Sequence, residues 1–239
     1  MSLPDPRFPE SFRGRAVSRE TAAFEEACRL AKCQKAEPGD IFYSRRHGMA
    51  SCALLIDADR PVSEAVQILP LAQLVVAESL TNFSATPRPK VVWPFGVCLA
   101  GKEVARVAIG GLSGQEDADD YADWLVLGFH IRLSGKFIER LPVAERKNVT
   151  ALSEQGIDTD RTAVLECLAQ TMERRQRQWQ EDGFSPIRQA WTAYAADEHD
   201  GSATRLDMEG NAMIGTGEGF EQVCLLDMIA RQLPLHLAA

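Results

Sequence analysis

Lys90-Val91-Val92-Trp93-Pro94-Phe95-Gly96-Val97-Cys98-Leu99-Ala100-Gly101-Lys102-Glu103-Val104-Ala105-Arg106-Val107-Ala108-Ile109 is the stretch whose reading decides the fold. Val91-Val92-Trp93-Pro94, Val97 to Ala100 and Glu103 to Ile109 read as three strands, the last entered through the turn at Gly101-Lys102 and ended by Gly110-Gly111. Downstream, Trp124-Leu125-Val126-Leu127-Gly128-Phe129-His130-Ile131 alternates little, the pattern of a strand buried on both faces. Upstream, Glu37-Pro38-Gly39-Asp40 has strong turn chemistry. Ile41-Phe42-Tyr43 and Ser51 to Ile56 follow as strands, joined by the polar loop Ser44-Arg45-Arg46-His47-Gly48.

Helices flank these strands. The first is predicted from Ser18 as N-cap, with Ala23, Phe24, Ala27, Cys28 and Ala31 on one face, and it ends before Pro38. Ser63 to about Asn82 reads as one buried helix kinked at Pro70. The clearest helix runs from about Asp160 to Glu181. Asp158 or Asp160 is its N-cap, Val164, Leu165, Leu168, Met172 and Trp179 form its inward stripe, and Gly183 suits its C-cap. A shorter helix spans about Ser185 to Ala196, and a polar break follows at Asp197 to Ser202. Thr204 to Ile214 then reads as a hairpin about a tight turn, with Val223 to Leu226 as a third strand.

The expected fold is therefore α+β: a mixed, largely antiparallel sheet flanked by helices, with a small C-terminal β appendage. The expected division is an N-terminal arm over 1–17, extended over the body or loose, a main domain over 18–196, and a small β module over 197–239.

The composition agrees with a folded protein. Of 239 residues, 45% are hydrophobic and 25% charged, and a chain of this length buries roughly 70–75% of its unfolded surface without a disulfide or metal staple. Acidic residues outnumber basic ones 34 to 26, for a formal charge of −8, a field that disfavours nucleic acid and anionic membranes as partners. No stretch reaches the roughly 20 apolar residues of a membrane span, and the start has no apolar signal core, so a cytoplasmic location is expected. The six cysteines and four histidines are scattered without zinc spacing, so the thiols are expected reduced and no metal is expected.

Three segments in order resemble the catalytic domain of the biotin/lipoate protein ligases. Lys90 to Val97 with Gly101-Lys102-Glu103-Val104-Ala105-Arg106-Val107 is similar to that family's K-W-P-N-D and G-K-K-V-A-G-I strands. Leu127-Gly128-Phe129-His130-Ile131-Arg132 resembles its G-I-G-I-N strand, and Glu154-Gln155-Gly156-Ile157 with the long helix and Trp191 resembles its E-x-G-I segment, helix and following W. Arg205 to Ile214 looks like part of the family's small C-terminal barrel, and the likeness covers roughly Gly39 to Tyr194. It implies a protein that activates biotin or lipoate with ATP as an acyl-adenylate and passes the acyl group to a lysine of an acyl-carrier protein domain. Some biotin ligases also carry an N-terminal winged helix for DNA, and none is expected before Ser18.

The chemistry departs from the pattern. The family's Asn and Asp after W-P are Phe95 and Gly96, its ligand-contacting lysine aligns with Glu103, and glycines beside the ligand become Arg106 and His130, with Arg132 in place of its Asn. Lys102 is next to the lost cation, yet on a regular strand it points to the opposite face unless a bulge shifts the register. The family's long G-R-G-R-R-G-R loop is reduced to Ser44–Met49, where Arg45 and Arg46 read either as a remnant facing a ligand or as a solvated basic turn.

The candidate ligand-binding residues are therefore Arg45, Arg46, Trp93, Lys102, Glu103, Arg106 and Arg132. Trp93 is equally a pocket wall or a core aromatic. Arg106 and Arg132 either pair with Glu103 in a structural network or face an anionic ligand, because an unpaired buried charge is very costly. Octanoyltransferases of the same fold use a cysteine nucleophile, but Cys98 reads as a buried structural thiol and His130 as a satisfied core histidine. Gly110-Gly111 and Gly114 read as turn glycines ahead of phosphate binders. Two functions stay open: a relative with a degenerate adenylation site that binds a small carboxylic acid or a protein partner, and a divergent active ligase or acyltransferase. The replacements at Phe95, Gly96 and Glu103 weigh towards the first for biotin chemistry.

Overall fold

The computed structural model describes residues 3–18, 21–195, 205–216 and 219–232. The expected polar break at Asp197 to Ser202 lies outside them. Among the described residues, seven strands form one sheet: β1 (Arg13–Ala16), β2 (Asp40–Tyr43), β3 (Met49–Ile56), β4 (Lys90–Val92), β5 (Gly96–Leu99), β6 (Lys102–Gly110) and β7 (Leu125–Arg132). Their spatial order is β1-β2-β3-β7-β6-β5-β4. β1 pairs parallel to β2 and every other pairing in this sheet is antiparallel, so the sheet is mixed and largely antiparallel as expected.

β1 falls in the stretch read as an arm. Its residues, Arg-Gly-Arg-Ala, are mostly exposed and carry no apolar alternation, so nothing in the composition announces a strand. Charged edge strands of this kind are how sheets resist pairing with other chains. Arg13 and Arg15 hold it in place by gripping opposite oxygens of Asp40, each at 2.9 Å.

The faces of the sheet carry different layers. α1 (Ala23–Lys32) covers one face through Ala23, Ala27, Leu30 and Ala31, which meet Phe42, Ala53, Leu55 and Val126. It begins at Ala23 and not at Ser18, whose hydroxyl pairs with Thr21 Oγ1 at 2.7 Å. The other face carries the main core. There α3 (Ile68–Thr81) is buried nearly all round between the sheet and the helices α5 (Arg161–Asp182) and α6 (Phe184–Thr192).

The single kinked helix expected over 63–82 is two helices, α2 (Val62–Ala65) and α3. Pro70 is the third residue of α3, where a missing N–H breaks no intrahelical bond, so it does not kink the helix. A one-turn helix, α4 (Val143–Arg146), precedes α5. Asp160 caps α5 by accepting from Ala163 N at 2.9 Å, and Gly183 ends it at φ +74°, a left-handed value that favours glycine.

At the C-terminus β8 (Arg205–Leu206), β9 (Ala212–Thr216) and β10 (Gly219–Val223) make a small antiparallel sheet. The third strand ends at Val223, and Leu225–Ile229 is a helix, α7, not a strand continuation. The i, i+4 pair Leu225 and Ile229 is buried, and Asn211 Oδ1 accepts from Leu225 N at 2.8 Å, fixing the helix start. The turn over 207–211 docks on the main domain. Gln67 donates to Met208 O at 2.8 Å, and the Trp93 indole N–H donates to Gly210 O at 3.2 Å.

Candidate functional site

A bulge builds the site. β5 and β6 pair Gly96 with Arg106 and Val97 with Ala105, then Cys98 with Glu103 and Leu99 with Lys102, so Val104 is an extra residue. On a regular strand Glu103 and Arg106, three apart, would face opposite sides. The extra residue brings both to one face, along with Gly96 and Cys98. Across β6 and β7, Arg106 pairs with His130, and Arg132 follows two residues on, so both join the same face. Val97, Ala105, Val107 and Ile131 point the other way, into the main core.

The charges meet on the Glu103 carboxylate. Arg106 donates to its Oε2 from Nη2 at 2.8 Å and Nε at 3.3 Å, and Arg132 Nη2 donates to Oε1 at 3.2 Å. Arg132 Nη1 also reaches the Glu103 carbonyl at 3.2 Å. The Glu103 backbone is clamped further: its N–H donates to Asn148 O at 2.8 Å and its carbonyl accepts from Thr150 N at 2.9 Å. Exposure grades across the cluster, the side chains of Arg132, Glu103 and Arg106 being 2%, 17% and 26% exposed. Burial lowers the Arg132 pKa while Glu103 opposes that shift.

His130 lies beside this pair. Burial, reinforced by the charges of Arg132, Arg46 and Arg106, pushes its pKa down to about 3, so it is neutral at physiological pH. It was expected to be a satisfied core histidine, but its buried Nε2 has no hydrogen-bond partner among the described residues. Cys98 is pushed up to about 11, first by burial and then by Glu103, the opposite of an activated thiol.

The loop arginines separate. Arg46 is near enough for its charge to act on His130, whereas Arg45 is held by Asp5 of the N-terminal segment, Nε to Oδ1 at 2.9 Å and Nη2 to Oδ2 at 2.5 Å. That segment is anchored over the body by Pro4 O, which accepts from Arg161 Nη2 at 2.9 Å and Thr162 Oγ1 at 2.8 Å. Thus the structure gathers Glu103, Arg106 and Arg132, with Arg46 in electrostatic reach. Arg45, Lys102 and Trp93 stand apart: Lys102 is exposed at the strand end, and Trp93 is tied to the C-terminal turn.

The sequence reading set His130 aside as a core histidine and passed over Gln73. His130 was detectable only through its pairing with Arg106. Gln73, on the apolar helix α3, donates to Val92 O at 2.8 Å and Gly96 O at 2.9 Å and accepts from Trp191 Nε1 at 3.0 Å, so it fixes the turn between β4 and β5.

The glycine-rich turn after β6 offers no phosphate cradle. Gly110 packs close to Cys28, Gly111 close to the Trp124 carbonyl, and the amides of Ser113 and Gly114 are taken by Glu116. A cleft of ≈ 280 Å³, lined by Leu55, Asp57, Glu173 and Arg177 among others, lies at the far end of β3 from Met49, which pairs with Arg132. It is therefore remote from the charged cluster. Among the described residues, no group of three or more His, Cys, Asp and Glu is placed to hold a metal ion, and no helix is long and apolar enough to cross a membrane.

Residues 8–193 match the biotin/lipoate A/B protein ligase family. The chain belongs to this family. Its curated relatives include the bifunctional ligase/repressor BirA of Bacillus subtilis (strain 168), 22% identical over an aligned length of 201 residues, with 79% of this chain and 60% of the relative covered. The chain thus spans 60% of the length of that relative. Among solved structures, a biotin protein ligase-like protein of unknown function from Silicibacter sp. TM1040 is 21% identical, with a TM-score of 0.78, covering 94% of this chain and 99% of that one. A biotin protein ligase from Aquifex aeolicus is 19% identical at a TM-score of 0.69, covering 89% and 95%. The same Aquifex enzyme in complex with biotin and ATP is 18% identical at 0.65, covering 89% and 93%. At these identities the likeness speaks for the family's fold, and the chemistry has to be argued from this chain's own residues.

Proposed function

We propose that this member of the family binds a small carboxylic acid on the Glu103, Arg106 and Arg132 face and does not carry out standard biotin adenylation. The observation that carries this reading is the Glu103 carboxylate shared between the two arginines. Forming an acyl-adenylate requires donors aimed at charge that develops on phosphate in the transition state. Here the two guanidiniums are directed at an internal anion. Glu103 also stands where the family resemblance expects a cation. At ~4 Å and an effective dielectric of ~20, a unit charge changes a phosphate's energy by about 4 kcal/mol, so reversing its sign is a change of about 8 kcal/mol.

Acid binding is favoured by what remains. Glu103, Arg106 and Arg132 together keep one net positive charge, Arg106 is partly exposed, and the site stands on paired strands that hold it rigid. A carboxylate gains from that charge without needing the full set of phosphate donors.

The test is a calorimetric screen with biotin, lipoate, octanoate and ATP, followed by acid-dependent pyrophosphate exchange. The expected result is binding of at least one acid with no exchange. Exchange with any of these acids overturns the reading in favour of an active ligase, for which ATP and an acyl-carrier protein domain become the partners to supply.

A further inference from the structure

Resting on the acid-binding reading, we infer that His130 is a specificity-determining residue, its Nε2–H and the Nη1 edge of Arg106 taking the two oxygens of one ligand carboxylate. His130 is 7% exposed and its Nε2 is without a partner among the described residues. Buried polar atoms in native proteins are almost always paired, and an exception calls for a reason. The imidazole is neutral in this setting, so it has one N–H to donate and one nitrogen to accept. The charges that act on it, Arg46, Arg106 and Arg132, are all positive, a field that favours an anionic acceptor as its partner.

The register places that acceptor. Arg106 is directly opposite His130 across β6 and β7, where paired side chains stand about 5 Å apart at Cβ. Arg106 uses Nε and Nη2 on Glu103, and its Nη1 makes no hydrogen bond among the described residues. A carboxylate can offer one oxygen to each donor, while Glu103 already holds the Nε and Nη2 edge of the guanidinium. A carboxamide does not fit as well, because its NH2 would face a donor. The exposed loop tip over 45–47 lies beside this position, and its Arg46 charge acts on His130.

The experiment compares lipoate with lipoamide and octanoate with octanamide by calorimetry, on wild type, His130→Phe and His130→Gln, with melting curves to confirm folding. Wild type is expected to prefer each acid over its amide by at least tenfold. His130→Phe is expected to lose most of that preference, and His130→Gln, which keeps an N–H, to retain part of it. In parallel, the imidazole Nε2 resonance of His130 is expected to shift on titration with whichever of the two acids binds. If the acids bind wild type and both variants alike, or the His130 resonance does not move at saturation, the inference falls while the acid-binding reading stands. If neither acid nor biotin binds wild type, both fall. Should His130→Phe not fold, His130→Gln and the resonance decide.

Discussion

Glu103 gathers two guanidiniums into one internal salt-bridge network. Its carboxylate pairs with Arg132, a guanidinium at 2% exposure, and removing one partner of a buried pair is destabilising. Glu103→Gln is therefore expected to lower stability in urea denaturation, by at most about 3–5 kcal/mol. Replacing Arg132 by Met in the same background should recover part of the loss, since the buried charge that Glu103 served is then gone. His130 carries a second consequence at this scale. Its folded pKa, about 3, lies below its ordinary value of 6.5, so below pH 6.5 the unfolded chain binds a proton that the folded chain refuses. Its contribution to stability is full above pH 6.5 and is lost as pH falls towards 3. His130→Gln should flatten the stability profile between pH 6.5 and about 4, measured by chemical denaturation at each pH. The residue types Glu, Arg, His and Arg were plain in the sequence. Pairing of Glu103 with Arg106 and Arg132 was one of two readings the sequence left open; the bulge at Val104, which sets Glu103 and Arg106 on one face, decides it.

At the scale of elements, the strands and long helices were legible where apolar periodicity is strong. The strands from β2 to β7, the stripe of α5 and its Asp160 cap stand close to where the pattern put them. Elements held by tertiary contact were not legible. β1 exists because Asp40 grips Arg13 and Arg15, and α7 exists because Asn211 receives its first amide. Asp40→Asn is expected to loosen β1, with faster amide exchange over residues 13–16 and little change in β6 and β7. Burial opposes ionisation of Asp40, but the Glu37 amide and the two arginines outweigh it and hold its pKa below the ordinary 3.8. The stabilisation from that carboxylate is thus complete above about pH 3.8 and shed as pH falls through its lower folded value, so β1 should be an early element to exchange in acid.

At the scale of the whole molecule, the small C-terminal sheet shares the core of the large one. Leu206, Leu225 and Ile229 are buried in the main cluster, and the turn at Gly210 receives the Trp93 indole. Burying three such side chains contributes about 5–9 kcal/mol as an upper estimate, against total stabilities of about 5–15 kcal/mol. A chain ending at residue 204 is therefore expected to melt at least 15 °C lower or not to fold, as read by circular dichroism. By itself the sequence determined a largely antiparallel sheet flanked by helices, because apolar periodicity and turn chemistry are local and repeat along the chain, and its motifs carried the resemblance to the family. Only the tertiary structure decided which charges meet: the pairing of Glu103 with both arginines, the parting of Arg45 from Arg46, and the orphan nitrogen of His130. Those depend on strand register and on one extra residue in β6, and register is set by packing across strands far apart in sequence.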